Sequence, residues 1–98
     1  DERTRVIDAS GKVVTPGLVD PHTHLVFAGT REDEFEQRIK GATYQEIEAR
    51  GGGIRATVQR VRQATREGLV QLALPRLERM LNLGTTTAEI KSGYGLNL

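Results

Sequence analysis

Two β-branched segments separated by a long helical stretch restrict the fold of this chain more than any other feature. Residues 18–20 (Leu-Val-Asp) have the pattern of a short buried strand, and residues 85–90 (Thr-Thr-Thr-Ala-Glu-Ile) have that of another. Strands joined by a helical crossover pair in parallel, so the sequence predicts an α/β fold. In parallel sheets, ligands bind beyond the carboxyl ends of the strands, and functional residues are expected there.

The length of the chain limits how much of such a fold it can contain. Its 98 residues suffice for one small domain, whereas a complete eight-stranded β/α barrel needs roughly 250 residues. Two Phe and two Tyr are the whole aromatic content, so a free-standing core would be marginal. The chain opens on Asp1 rather than on methionine, and we expect it to be a piece of a longer protein.

Charge and cysteine content exclude several classes of function. The formal net charge is +1, which creates no overall field for nucleic acid or an anionic membrane. No apolar run is long enough to span a membrane, and no signal peptide is expected. Without cysteine there are no disulfides, thiolate zinc sites or cysteine nucleophiles. This composition fits a reducing compartment, and we predict a cytoplasmic location.

Helical patterns fill the chain between the two predicted strands. Three helices are predicted, over residues 43–50, 54–66 and 67–83. An acidic turn at 32–36 favours a further helical segment. Thr43 and Glu46 have the spacing of a capping box. Pro75 lies inside the third helix, where it should kink the helix or mark a boundary. Gly84 is a suitable C-terminal stop.

The first residues of the chain predict a small hairpin. Residues 4–8 and 13–14 have strand patterns, and the turn-forming sequence Ala-Ser-Gly-Lys separates them at 9–12. Pro16 and Gly17 then break the pattern before the first buried strand begins.

The strongest chemical signal is the pair His22 and His24, the only two histidines in the chain. Alternate residues of an extended backbone point to the same side. Two imidazoles placed in this way can offer their nitrogens to one metal ion, about 2 Å from each. The alternative is a pair of surface histidines in a turn. Their position at the carboxyl end of a predicted strand favours the metal site.

Longer motifs around these histidines resemble a known family. Residues 16–24 read Pro-Gly-Leu-Val-Asp-Pro-His-Thr-His, which resembles the first-strand metal motif of the amidohydrolase superfamily. Residues 7–15 look like the small β-domain that leads into that barrel. Residues 24–31, 51–54 and 84–96 narrow the resemblance to the imidazolonepropionase family. Essentially the whole chain takes part in it.

The resemblance implies a fold and a reaction. The chain would be a fragment of a metal-dependent hydrolase TIM-type β/α barrel. Residues 1–16 would form part of a small β-sandwich-like domain, and 17–98 the first strands and helices of the barrel. The reaction would be the hydrolytic opening of the cyclic amide ring of 4-imidazolone-5-propanoate to N-formimidoyl-L-glutamate in histidine degradation. The family also suggests a homodimer of the full-length protein, with a small-molecule substrate and no nucleic acid or membrane partner.

The same resemblance assigns roles to individual residues. His22 and His24 match two metal ligands for one zinc or iron ion. The family's other ligands and its acid–base residue lie beyond residue 98, so we place no catalytic residue within this chain and expect it to be inactive alone. Arg31 matches the partner of the substrate's propionate, and Tyr44 and Tyr94 match substrate-contacting tyrosines.

Each of these residues also has a simpler interpretation. Arg31 could form a surface ion pair with Glu32 or Asp33, and Tyr44 could merely pack near a helix start. Tyr94 lies between glycines in a turn after a strand, where a packing role is less natural. Lys91 is expected to pair with Glu89 rather than to touch a metal.

Two further features leave alternatives open. The glycines at 51–53 could cradle a phosphate at a helix N-terminus, although loop flexibility or close packing is favoured because the P-loop signature is absent. The arginine-rich stretch at 50–66 suggests a second hypothesis, a non-enzymatic binding module that contacts nucleic acid. A solvated helix face is the simpler interpretation of that stretch.

Overall fold

A two-stranded parallel sheet pairs residues 18–23 with residues 85–90, on either side of the helical part of the chain. The computed structural model describes residues 3–97. Strands β1 and β2 are hydrogen-bonded neighbours, and four helices cross over between them. The elements in chain order are β1 (Leu18–Thr23), α1 (Glu32–Ile39), α2 (Tyr44–Ala49), α3 (Gly53–Gln63), α4 (Arg66–Asn82) and β2 (Thr85–Ile90). The predicted α/β class and parallel pairing are confirmed, while these two strands do not by themselves show a barrel.

Strand β1 continues three residues further than the sequence pattern predicts. It pairs with β2 from Leu18, opposite Thr85, to Thr23, opposite Ile90. The register shifts between Asp20 and Thr23, where Pro21 has no amide hydrogen to donate to the ladder. The backbone N–H of His22 donates instead to Asp20 Oδ1 at 3.1 Å. The extended backbone therefore carries the first histidine into the end of the strand.

Of the hairpin predicted before β1, the turn forms but the two strands do not. Lys12 N donates to Ala9 O at 3.0 Å, which closes the predicted turn. Residues 3–17 nevertheless contain no strand. An isolated two-stranded hairpin is marginally stable without a further surface to pack on. The apolar side chains of this segment have no such surface and are exposed: Val6, Ile7, Val13 and Val14. The proposed domain boundary at 16/17 stays a prediction.

Two of the four helices, α2 and α4, begin at side-chain caps, and the sequence predicted the first of them. Thr43 Oγ1 accepts from Glu46 N at 3.2 Å, and Glu46 Oε2 accepts from Thr43 N at 2.7 Å, so the predicted capping box is confirmed. Thr65 caps α4 by accepting from the backbone N–H of Gly68 at 3.0 Å. Helix α4 continues through Pro75, which marks no boundary. The acidic turn at 32–36 is part of α1, which extends to Ile39.

The buried core of the described residues is small. Its apolar members are Leu25, Ala28, Ile47, Val58 and Ala73. The radius of gyration is 19.1 Å, compared with about 13 Å for a compact chain of this length. Both strands and much of α4 therefore keep apolar side chains in contact with solvent. Within residues 3–97, no helix combines the length and the apolar character needed to cross a bilayer.

Acid should loosen the start of α2. Bonds from Thr43, first from its backbone N–H and then from its hydroxyl, hold the pKa of the Glu46 carboxyl below its ordinary value. A lowered pKa stabilises the fold above the ordinary glutamate pKa, and this contribution disappears as pH falls through the lowered value. The amide proton of Thr43, followed by NMR, should therefore titrate with Glu46.

The matched variant is Glu46→Gln, which retains the side-chain length and removes the titration. The Thr65 amide serves as an internal control because the cap of α4 contains no carboxylate. An acid-dependent Thr43 amide shift that persists in Glu46→Gln would contradict this assignment.

Candidate functional site

The two histidines meet at the carboxyl end of β1. Their Nε2 atoms are 3.3 Å apart and their ring centroids 5.2 Å apart. Both side chains are exposed. Thr23 between them points to the other side, where its Oγ1 donates to Glu89 O at 2.8 Å. The alternation predicted from the spacing is therefore confirmed, because the intervening residue attaches β1 to β2 while the imidazoles converge.

The separation of the imidazole nitrogens suits two kinds of interaction. Two nitrogens bound tetrahedrally to one metal at about 2.0–2.1 Å lie roughly 3.3–3.4 Å from each other. The 3.3 Å separation of the His22 and His24 Nε2 atoms matches that requirement. It also permits a hydrogen bond from one protonated Nε2 to the other. Across residues 3–97, no group of three or more His, Asp or Glu side chains is placed to hold a metal ion.

Tyr94 lies beside the histidine pair, as its position after β2 predicts. Its ring centroid is 5.8 Å from that of His24 and 6.4 Å from that of Phe27. The close approach depends on Gly93, because a Cβ at this position would lie 2.3 Å from His24 Nδ1. Sequence reasoning noticed the glycine before the tyrosine but missed this contact, which only the pairing of the two strands creates.

Arg31 and Tyr44 lie together in a second location. They line a pocket of about 170 Å³ between α1 and α2. Arg31 Nη1 lies 3.6 Å from Glu34 Oε2. The sequence-based alternative, an ion pair with Glu32 or Asp33, is therefore wrong in its partner, because residues three apart share a helix face. Tyr44 is 51% exposed and begins α2.

The site residues thus form two groups. One contains His22, His24 and Tyr94, and the other contains Arg31 and Tyr44. Among the described residues, no hydrogen bond, ion pair or ring contact joins the groups.

The triple glycine packs closely and does not cradle an anion from solution. Glu34 Oε1 accepts from the backbone N–H of Gly53 at 2.9 Å, at the start of α3. A Cβ at Gly52 would lie 2.9 Å from the same oxygen and 2.6 Å from Ile47 Cγ2. The close-packing alternative is supported, because the chain supplies its own carboxylate to this helix N-terminus.

Two residues of the arginine-rich stretch, Arg60 and Arg62, donate to backbone carbonyls within the chain. Arg60 Nη1 donates to Thr30 O at 2.5 Å, and Arg62 Nε donates to Gly95 O at 2.8 Å. These guanidinium groups connect α3 to the segments that follow β1 and β2. Their use as internal donors argues against the nucleic-acid module. At the end of β2, Lys91 Nζ donates to Glu89 Oε1, so the predicted ion pair is confirmed.

Comparison with known proteins places this geometry in a family. Residues 5–81 match the amidohydrolase family. The chain belongs to the amidohydrolase family. It is 63% identical over 95 residues to the imidazolonepropionase of Myxococcus xanthus, covering 97% of this chain and 23% of that relative.

Two other relatives lead to the same family and the same partial coverage. The imidazolonepropionase of Symbiobacterium thermophilum is 62% identical over 97% of this chain and 22% of its own length. That of Vibrio cholerae is 58% identical over 94% of this chain and 23% of its own length. The chain thus spans less than a quarter of the curated relatives it matches. Amidohydrolases generally use a metal.

Alanine at position 93 should separate His24 from Tyr94. The added Cβ would collide with the His24 ring, and the expected result is loss of the nuclear Overhauser effect (NOE) between the two rings. Gly95→Ala is the matched control, because a Cβ there would meet only Asn97 Oδ1 at 3.4 Å. Retention of the NOE in Gly93→Ala, or its equal loss in both variants, would contradict the proposed packing.

Proposed function

We propose that this chain is the N-terminal segment of an imidazolonepropionase, a hydrolase that opens the cyclic amide ring of 4-imidazolone-5-propanoate to N-formimidoyl-L-glutamate in histidine degradation. The 3.3 Å convergence of the His22 and His24 Nε2 atoms carries the proposal. The histidine pair lies at the carboxyl end of a parallel strand, where β/α enzymes place their reactive groups. The 63% sequence identity to the imidazolonepropionase of Myxococcus xanthus, which extends over 97% of this chain, supports ring opening of the imidazolone as the reaction.

His22 and His24 would hold one zinc or iron ion in this proposal. Such an ion lowers the pKa of bound water and polarises a carbonyl oxygen. The contribution of the chain is to hold two imidazoles on one side of β1. A catalytic zinc site usually has three protein ligands, and the chain contains only two histidines. We therefore expect no turnover from this chain alone.

Arg31, Tyr44 and Tyr94 would bind the substrate. A guanidinium engages a carboxylate through two parallel N–H donors, and Arg31 uses only Nη1 toward Glu34 at 3.6 Å. This loose pair orients the guanidinium and leaves other donors for a propionate. Tyr94 would offer a flat face beside His22 and His24, the proposed metal ligands, where a planar ring can stack. Tyr44 would supply a hydroxyl in the Arg31 pocket.

The cellular setting follows the same proposal. A cysteine-free chain fits the reducing cytoplasm, and the substrate is a small molecule. Binding of nucleic acid or membrane is not expected. The full-length protein is proposed to be a homodimer, which sedimentation equilibrium can measure.

Zinc uptake by the chain tests the proposed ligands. Two histidines give two imidazole Hε1 resonances, and both should shift as zinc is added. His22→Ala and His24→Ala should each abolish stoichiometric uptake, since one imidazole cannot chelate. Arg55→Ala is the control, because Arg55 lies on α3 with an exposed side chain. Uptake that survives both histidine variants would contradict the ligand assignment.

Activity requires the remainder of the enzyme. This 98-residue segment can be grafted into the Myxococcus xanthus imidazolonepropionase in place of the matching 95 residues. The chimera should open the imidazolone ring. Arg31→Lys keeps the charge but loses the planar fork, and KM should rise roughly 10- to 100-fold, as expected for losing hydrogen bonds to a charged group.

Arg55→Lys serves as the matched control in the chimera and should leave KM unchanged. A correctly assembled chimera without ring-opening activity would contradict the proposed function. An unchanged KM in Arg31→Lys would contradict the role of Arg31 alone.

A further inference from the structure

Arg76, on α4, contacts three groups of the segment that follows His24. Its Nη1 donates to Leu25 O at 3.0 Å and to Phe27 O at 2.9 Å. Its guanidinium carbon lies 3.5 Å from the centroid of the Phe27 ring. One side chain therefore holds two carbonyls and one ring of the segment directly after His24.

A row of ring contacts leads from Arg76 to the histidine pair. The guanidinium lies on Phe27, the Phe27 ring meets the Tyr94 ring at 73°, and the Tyr94 ring meets His24. The anchored segment is itself firmly placed, because Leu25 and Ala28 are each only 7% exposed. The position of Tyr94 against His24 is thus connected to α4 by direct contacts at every step.

The chemistry of the contact is specific to arginine. A planar guanidinium can stack on an aromatic face and donate in its own plane at the same time. A lysine ammonium is a point charge that cannot do both in this geometry. Partial burial lowers the pKa of the Arg76 guanidinium, yet arginine remains charged at any physiological pH.

We propose that Arg76 is a positioning residue, which sets the placement of His24 and Tyr94 through the carbonyls of Leu25 and Phe27 and through the Phe27 ring. This inference rests on the proposed function, in which the His24 imidazole binds the metal and Tyr94 contacts the substrate. Arg76 would hold both side chains in place before either binds. Arg76 touches neither substrate nor metal in this proposal. Its effect is on the geometry of the residues that do.

The test measures the His24–Tyr94 NOE and zinc affinity in the same samples. Arg76→Met retains the aliphatic stem and removes the donors and the planar cation. The NOE should fall severalfold, and zinc affinity should fall by roughly tenfold, the lower end of what disturbed supporting residues cost. Arg76→Lys should recover part of both, because the ammonium can still donate to a carbonyl.

Arg79→Met is the matched control. Arg79 lies on the same helix and lines the same cavity as Arg76 and Leu25. Within residues 3–97, however, its side chain donates to none of the carbonyls that Arg76 holds, so the change should alter neither quantity. Phe27→Leu provides a second route that leaves the donors of Arg76 intact. It should weaken the NOE as Arg76→Met does, with unchanged far-ultraviolet circular dichroism. If Arg76→Met and Phe27→Leu both retain the NOE and zinc affinity, the proposal is overturned.

The two readouts separate this inference from the proposed function. If the unmodified chain takes up no zinc but the NOE depends on Arg76, positioning by Arg76 stands and the metal assignment fails. If zinc uptake depends on both histidines but neither readout responds to Arg76→Met, the metal assignment stands and the positioning role fails.

Discussion

The parallel pairing of β1 with β2 is the constraint on which the rest of the structure depends. It brings the two ends of a long helical crossover together, so that residues after Thr23 and residues after Ile90 lie at the same edge of the sheet. The backbone N–H of Lys91 donates to Thr23 O at 2.9 Å, which closes the ladder at this edge. Without this pairing, His24 and Tyr94 would belong to unrelated parts of the chain.

A chain with so small a core holds its site by polar contacts to the backbone. Arg76 binds the carbonyls after β1, and Arg62 binds the carbonyls of Gly95 and Leu96 after Tyr94. Each guanidinium crosses from a helix to a loop and satisfies carbonyls that no strand partner reaches. Fixed loops near the carboxyl ends of strands are what a binding site needs, since imprecise placement of its groups weakens binding.

Glu34 shows how one residue can serve two neighbouring structures. One carboxylate oxygen accepts from the first amide of α3, and the other faces Arg31. The helix N-terminus and the guanidinium are both positive, so a single negative charge between them lowers the energy of each. The position of the Arg31 pocket is consequently tied to the start of α3, where a Cβ at Gly52 would lie only 2.9 Å from the Glu34 carboxylate.

Local patterns predicted much of the fold. The capping box at Thr43 and the convergence of His22 and His24 follow from contacts between near neighbours in sequence. The strand at Thr85–Ile90 follows from its β-branched composition, and in this case β1 supplies the partner that a strand needs. The predicted hairpin strands failed because strand formation depends on a partner surface that local pattern does not contain. The ion-pair partner of Arg31 was also missed, since helix geometry selects among several nearby carboxylates.

By itself, then, the sequence determined the α/β class, the capping box of α2 and the pair of imidazoles at the end of a strand, because local pattern and spacing along the backbone set each of them. Only the tertiary structure decided that Gly93 admits the His24 ring, that Glu34 occupies the start of α3, and that Arg76 reaches the carbonyls of Leu25 and Phe27. The reason is physical. These contacts join residues far apart in the chain, and their distances exist only after β1 and β2 have paired and α4 has packed beside them.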